Sequence, residues 1–404
     1  MKILHIQYGM PPAGNACFRL HTAMRKNGID SSVLTIMPCM KRNNVYNLKQ
    51  GIKTFLKKGI SIIQSRCIDH LKKEGAYFYS SLPIWGASLN KLSLVKEADV
   101  IYLHWVAGSS LSLKEIGKIA STGKPVIFFM HDMWDITGGC HHAFDCSGYT
   151  NGCDNCPMFT KHVKLASRQI KAKRALYSKH PNIIFISPSK WMAECAKHSY
   201  TITVNPIHVV SNVVDELNFK PIDKIVARNI LNLPTNKTII TFGCQAGTKN
   251  KFKGWDYLKE AMNKINVKDV HVLVYGCDYS KETVEQIPYP ITFLGQILDE
   301  TKLSLVCNAT DVFVSPSLAE SFGLTFLENI LCCTPVVGFN NTAIGEIIRT
   351  GKNGYLAQNR DSLDLAKGIE TVIGMKGNLK GAETYSSKLL VDQHLEIINR
   401  YLKK

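Results

Sequence analysis

A chain of 404 residues exceeds the roughly 250 to 300 at which a single core stops growing, so two domains are expected. With 45% hydrophobic and 20% charged residues and no long polar tract, it is globular and not disordered, and no apolar run is long enough to predict a transmembrane helix. A formal charge of +17 calls for an anionic partner, be it nucleotide phosphate, lipid phosphate, an acidic membrane surface or nucleic acid, without choosing among them.

The opening stretch KILHIQYG reads as a buried first strand and not as an export signal, which predicts a cytoplasmic protein. A Gly-containing loop, GMPPAGN, leads to a helical pattern, ACFRLHTAMRKNG, and then a second strand, SSVLTIM, giving a β-loop-α-β unit. Residues 41–75 hold nine Lys or Arg against two acids. Leu48, Ile52, Phe55, Leu56 and Ile63 fall there at helical spacing, an apolar stripe beside a basic face that suits an anionic bilayer. A core-facing helix with a solvated basic side fits the same pattern, and Gly51 and Gly59 weaken a long interfacial helix.

Strands ADVIYLHWV, PVIFFMH and NIIFIS follow. His131 and Asp132 stand at the carboxyl end of the second, where ligands bind in α/β sheets. His104 ends the first, with a packing role and an acceptor-side role both open. Next comes CHHAFDCSGYTNGCDNC, which places Cys140, Cys146, Cys153 and Cys156 within seventeen residues. Four thiols so close can surround a tetrahedral Zn²⁺, with His141 or His142 able to replace one ligand; free or redox-active thiols and disulfides are the alternatives, disulfides being disfavoured in a reducing cytoplasm. Cys67, Cys195, Cys277 and Cys307 sit singly in apolar runs and read as small buried hydrophobes.

After residue 230 the grammar restarts with strand KTIITFG, loop CQAGTKNKFKG, helix WDYLKEAMNKI and strand VHVLVYG, then strands ITFLG, DVFVSPS and TPVVGF. Continuous apolar strands alternating with helices predict two doubly wound, Rossmann-like α/β domains, each a parallel sheet covered on both faces, facing each other across a cleft. The expected domains are 1–207, with a cysteine-rich insert at 138–158, and 208–380. A closing helix within 381–404 is expected to pack back on the first domain.

In DVFVSPSLAESFGLTFLENI, Glu320 falls in the loop after a strand and a helix is expected to start at Ser321 or Phe322, with Leu324, Leu327 and Leu331 facing a core. A helix N-terminus beside Gly323 suits a diphosphate, Glu320 can accept hydrogen bonds from sugar hydroxyls, and Glu328 can reach a second ring. A solvated surface helix with two ordinary acids fits the spacing equally.

PSLAESFGLTFLENILCCTPVVGF resembles the signature of two glutamates separated by seven residues in retaining glycosyltransferases of family 4, which have the GT-B fold. ISPSKWMAECAKHS, VVSNVVDELNFKP, FKGWDYLKEAM, VLVYG, ITFLGQI and GKNGYLA fall in that family's order, so the resemblance covers nearly the whole chain. It implies that Glu320 contacts the transferred sugar, Glu328 the ribose, and Lys253 the diphosphate. It also implies donor contacts at Gly14 and Asn15, Gly276, Gln296, Ser321, Phe322, Gly323 and Leu324, with His131 touching the donor sugar or transition state. The family's arginine in the phosphate loop is missing, leaving Lys249 or Lys251 to substitute. The cysteine-rich insert resembles that of a subset of bacterial polysaccharide glycosyltransferases.

The resulting expectation is a retaining, hexosyltransferase-like enzyme that moves a sugar from a nucleotide-diphosphate sugar to a hydroxyl of a bacterial surface glycan, in O-antigen, capsule or exopolysaccharide synthesis, on a lipid carrier or free. No cofactor is expected for catalysis, since a lysine and a helix end supply the positive charge, and no protein nucleophile is assigned. A non-catalytic nucleotide-sugar binding protein and another GT-B enzyme, such as a nucleotide-sugar epimerase or hydrolase, remain as alternatives. Nucleic acid is not an expected partner, for want of an aromatic-basic recognition segment.

Overall fold

The computed structural model describes residues 1–9, 16–39, 42–48, 63, 66–73, 86–107, 110–160, 163–243, 251–375 and 382–402. Its strands form two wholly parallel sheets. In the first, β1 (Lys2–Gln7), β2 (Asp30–Thr35), β3 (Val45–Asn47), β4 (Val100–Leu103), β5 (Val126–Phe129), β6 (Ile183–Ser187) and β7 (Ile207–Val209) lie in the order β3-β2-β1-β4-β5-β6-β7. In the second, β8 (Thr238–Gly243), β9 (Val270–Tyr275), β10 (Ile291–Phe293), β11 (Val312–Ser315), β12 (Val336–Phe339) and β13 (Gly354–Ala357) lie in the order β10-β9-β8-β11-β12-β13.

Every residue of β4, β5, β6, β11 and β12 is buried, as apolar strands covered on both faces require. Helices connect the parallel strands, several of them capped by side chains written in the sequence. Ser189 accepts from Met192 N at 3.2 Å and starts the helix Lys190–Lys197, and Asp361 does the same for Ser362–Val372. In each sheet the strand order reverses once, between β1 and β4 and between β8 and β11. Beyond the carboxyl ends of such a pair the connecting loops diverge and leave a crevice for a ligand.

The chain divides into two compact units, one taking in Met1–Met10, Ala16–Ser211 and Lys388–Lys404, the other Asn212–Ser387. The division falls after Ser211 and not after residue 207: Ile207–Val209 forms an edge strand paired with β6 and belongs to the first unit. The last helix spans Ser387–Leu402, within the expected 381–404. Tyr102 Oη and His394 Nδ1 lie 3.0 Å apart, and His208 Nε2 and Tyr401 Oη 2.9 Å, joining that helix to the first sheet.

The basic stripe of residues 41–75 lies largely outside the described residues; Leu48 packs on the first core and Ile63 is exposed. No helix among the described residues is long and apolar enough to cross a membrane.

Candidate active site

In the second unit, two loops leave adjacent strands at the reversal of order. After β8 the chain forms a single turn, Lys251–Lys253, and after β11 it runs through Pro316–Glu320. The two are tied backbone to backbone, Leu318 N donating to Phe252 O at 2.9 Å. Gly254 makes the approach feasible. Its φ is 72°, and a Cβ placed there would lie 2.0 Å from Pro316 O. Glu320 is fixed in turn by Thr342, whose Oγ1 accepts from Glu320 N at 2.9 Å. Lys253 Nζ thereby reaches Glu320 Oε1 at 2.8 Å, with both side chains about one-fifth exposed, at 21% and 18%. This places an ammonium and a carboxylate together at the mouth of the crevice.

Gly254→Ala tests the framework. Forcing a side chain into left-handed backbone against a carbonyl is expected to lower stability by about 2–4 kcal/mol, read as a lower urea midpoint at unchanged m.

The helix Leu324–Leu331 follows, starting three residues later than a Ser321 start and capped by Gly323 at φ 95°. Gly323's left-handed conformation interrupts the helical path, and Phe322 turns into the core against Tyr385 with ring centroids 6.1 Å apart. The Phe322 side chain is therefore packing, and what the segment Ser321–Leu324 offers a ligand is the positive end of the helix. Phe326 anchors this helix to the sheet through Gly338, where a Cβ would meet Phe326 Cζ at 2.8 Å.

Glu328 is 2% exposed, so the solvated surface helix is ruled out. Burial first, then the charges of Cys307 and Glu328, push the Tyr275 phenol well above its usual range. Tyr275 closes β9 and precedes Gly276, at φ 89°, whose N–H bonds to Gly295 O at 2.8 Å beside the exposed Gln296. Lys251, Lys253, Gly276, Gln296 and Glu320 thus share the carboxyl edge of the second sheet, while Gly14, Asn15 and Lys249 lie outside the described residues.

The first unit places histidines at the corresponding edge. His5 Nδ1 lies 2.8 Å from His104 Nε2, and His104 Nδ1 lies 2.8 Å from His131 Nε2. Burial lowers all three, His131 to about 4 and the other two well below the usual imidazole range, so the rings are neutral and can pass one donor along the chain. Only His131 reaches the strand end with its ring part-exposed; His104 is buried between its two neighbours.

Asp132 orders the adjoining loop. It accepts from Trp134 N at 2.7 Å and Trp105 Nε1 at 3.0 Å and pairs with His141 Nδ1 at 2.6 Å. Burial would raise its carboxyl, but His141, His142 and the Trp134 amide outweigh it and hold the group below the usual range. Asp132→Asn keeps the shape, removes the charge and is expected to cost about 1–3 kcal/mol, measurable by thermal unfolding.

Sequence reasoning missed Thr342, Tyr275 and the buried Lys173. The last spans the space under this loop, donating to Trp134 O and to Thr137 O at 3.0 Å, its Nζ 3.9 Å from the Trp134 ring centroid. As one of three lysines in the helical run RQIKAKRALYSK, it carries no sign that it points inward.

Residues 237–374 match a family model described as glycosyl transferases group 1. This stretch contains Lys253, Glu320 and Glu328. A D-inositol 3-phosphate glycosyltransferase of Rhodococcus jostii is 28% identical over 220 residues, 49% of this chain and 48% of that protein. The chain thus spans about half the length of the curated relatives it matches. Whole-chain likeness is found among solved structures. Anabaena HepE in complex with UDP and glucose gives a TM-score of 0.66 at 16% identity over 99% of both chains. WaaG, a glycosyltransferase involved in lipopolysaccharide biosynthesis, gives 0.59 at 12% over 98% of this chain and 99% of its own. The fold is that of the GT-B glycosyltransferases: two Rossmann-like units, each on a parallel sheet.

Proposed function

We propose that the chain is a retaining glycosyltransferase of this group, transferring a sugar from a nucleotide-diphosphate sugar to a hydroxyl of a bacterial surface-glycan intermediate. The observation that carries this reading is the Lys253–Glu320 pair at the strand-order reversal of the second sheet, within the stretch that matches the group 1 model. The ligands of HepE and the role of WaaG support a nucleotide-sugar donor and a surface-glycan acceptor.

Lys253 and Glu320 neutralise each other in the free protein. An entering diphosphate competes for the ammonium and releases the carboxylate to accept from a sugar hydroxyl. As the glycosidic bond breaks, charge grows on the departing diphosphate, and Lys253 with the N-terminus of Leu324–Leu331 stabilises it. Glu328, further along that helix, faces the nucleotide. Transfer to the same face, with a donor phosphate oxygen taking the acceptor's proton, requires no protein nucleophile and gives retention. His131, a neutral imidazole at the strand end of the first unit, is the residue there that the family resemblance assigns to the sugar. The basic residues of 41–75 suit contact with the inner face of the plasma membrane, where a lipid-linked acceptor is reached from the cytoplasm.

A thermal-shift panel of nucleotide sugars tests the donor site, because a ligand bound only to the native state raises Tm. At least one nucleotide sugar is expected to raise Tm in the wild type and to lose its effect in Lys253→Ala. Binding with no turnover on any acceptor would identify a non-catalytic nucleotide-sugar binding protein. Conversion of donor without acceptor would identify an epimerase or hydrolase.

A further inference from the structure

The loop after Asp132 carries a second constellation that the transfer chemistry does not use. Cys140, Cys146, Cys153 and Cys156 are all free thiols, and all four line one small cavity with His142 and Met158. The space at its centre is about 20 Å³, room for one water-sized sphere. Tight turns bring the cysteines there, with Gly139 at φ 129°, Gly152 at 102° and Cys153 itself at 56°. A left-handed cysteine is a strained choice for a residue whose only task is packing.

The backbone around these sulfurs is arranged as a set of donors. Gly148 N–H points at Cys146 Sγ at 3.4 Å, two residues on in the chain. The Gly138 amide favours the thiolate form of Cys153, and the amides of Met158 and Phe159, two and three residues on, that of Cys156. Gly138 is held in place because a Cβ there would meet Ala166 O at 2.5 Å. Amide donors do little for a neutral thiol and much more for a thiolate. The buried ammonium of Lys173 adds positive charge, favouring the thiolates of Cys140 and Cys153.

We propose that Cys140, Cys146, Cys153 and Cys156 bind one zinc ion as a tetrathiolate that cross-links the segment 138–158 to itself, beside the helix Leu165–Lys179. Four sulfur ligands around one small cavity are the donor set of structural zinc. Without a cation, four thiolates crowded around one cavity would repel one another. Zinc replaces four thiol protons, which leave to solvent, and converts repulsion into attraction. The doubly negative cluster then faces Lys173 and the amide donors, the supporting shell such a site needs.

The four sulfurs stand wider apart than ligands of one ion, so binding draws them together; among the described residues the group already within 4.8 Å is His5, Cys17 and His104. That group is a poorer candidate, because His5 and His104 bond to each other and burial pushes the Cys17 thiol far up. The proposal does not depend on the transferase reading.

The test uses the full-length protein purified under reducing conditions without chelator. Elemental analysis is expected to find about one zinc per chain. Mass-spectrometric alkylation is expected to find Cys140, Cys146, Cys153 and Cys156 protected until a chelator is added, then reactive together. Cys156→Ser should lower the zinc content, and Cys195→Ser should leave it unchanged. The wild-type measurements stand even if Cys156→Ser does not fold. The proposal is overturned by metal-free protein whose four thiols alkylate equally fast with and without chelator. Disulfides among the four, or iron with inorganic sulfide in place of zinc, would overturn it as well.

Discussion

Replacing Lys253 with Ala is expected to lower kcat by about 10²–10³-fold, the usual effect of removing one preorganised donor from a developing negative charge. Glu320→Gln is expected to act on the same scale while leaving the helix and the Thr342 contact in place, since Glu320 N and not its carboxylate makes that bond. The two losses should not add. Each single change leaves the other member of a 2.8 Å pair facing the ligand alone, so the double variant should be little worse than the poorer single one. Initial rates of nucleotide release, with folding checked by circular dichroism, measure all three. Loss in KM alone would mean that the pair binds donor and transition state equally and does not favour the latter.

Mild acid should unfold the first unit before the second. Of 13 histidines, all but His271 belong to the first unit, and buried His5, His21, His104 and His394 have imidazoles lowered by burial. A histidine held neutral in the native state but free to protonate when unfolded supports the fold fully above pH 6.5 and loses that support as pH falls. His21, 2% exposed, is lowered from 6.5 to about 4, so it accounts for about 3 kcal/mol across that interval. His5, His104 and His394 act in the same direction, His394 being lowered to about 3, while His131, part-exposed, contributes less. Asp135, raised by burial and by Asp132, works the other way, since its native form takes up a proton more readily. Hydrogen exchange at pH 7 and pH 5, corrected for intrinsic rates, is expected to show protection lost in β1, β4 and β5 and kept in β8, β9 and β11. His21→Asn should flatten the pH dependence of unfolding.

The two sheets were legible because their strands are continuous apolar runs, each with its own loop and helix signals, and the chemistry of an α/β sheet falls at strand ends. Lys253, Glu320 and His131 could therefore be placed by position in a pattern. The short edge strands β3, β7 and β13 were not, because three or four residues, part-exposed, give too little alternation to register. The start of the helix at Leu324 was misplaced because Gly323 was read as an aid to anion binding, when its left-handed φ also stops the helix from extending backward. Thr342, which holds the Glu320 backbone, lies 22 residues away in an unremarked NNT turn. Lys173 was invisible because nothing in an otherwise basic helix distinguishes the one ammonium that points inward. Tertiary contacts of this kind depend on which loops meet, and periodicity does not carry that.

The most direct test of the Lys253–Glu320 site is nucleotide release from the donor that raises Tm most, with and without a lipid-linked glycan extract as acceptor, in wild type and Glu320→Gln. The predicted result is acceptor-dependent release by the wild type that falls by about 10²-fold or more in the variant, with donor-induced stabilisation still detectable. Equal release by the two proteins would contradict the assignment of this pair to the sugar being transferred.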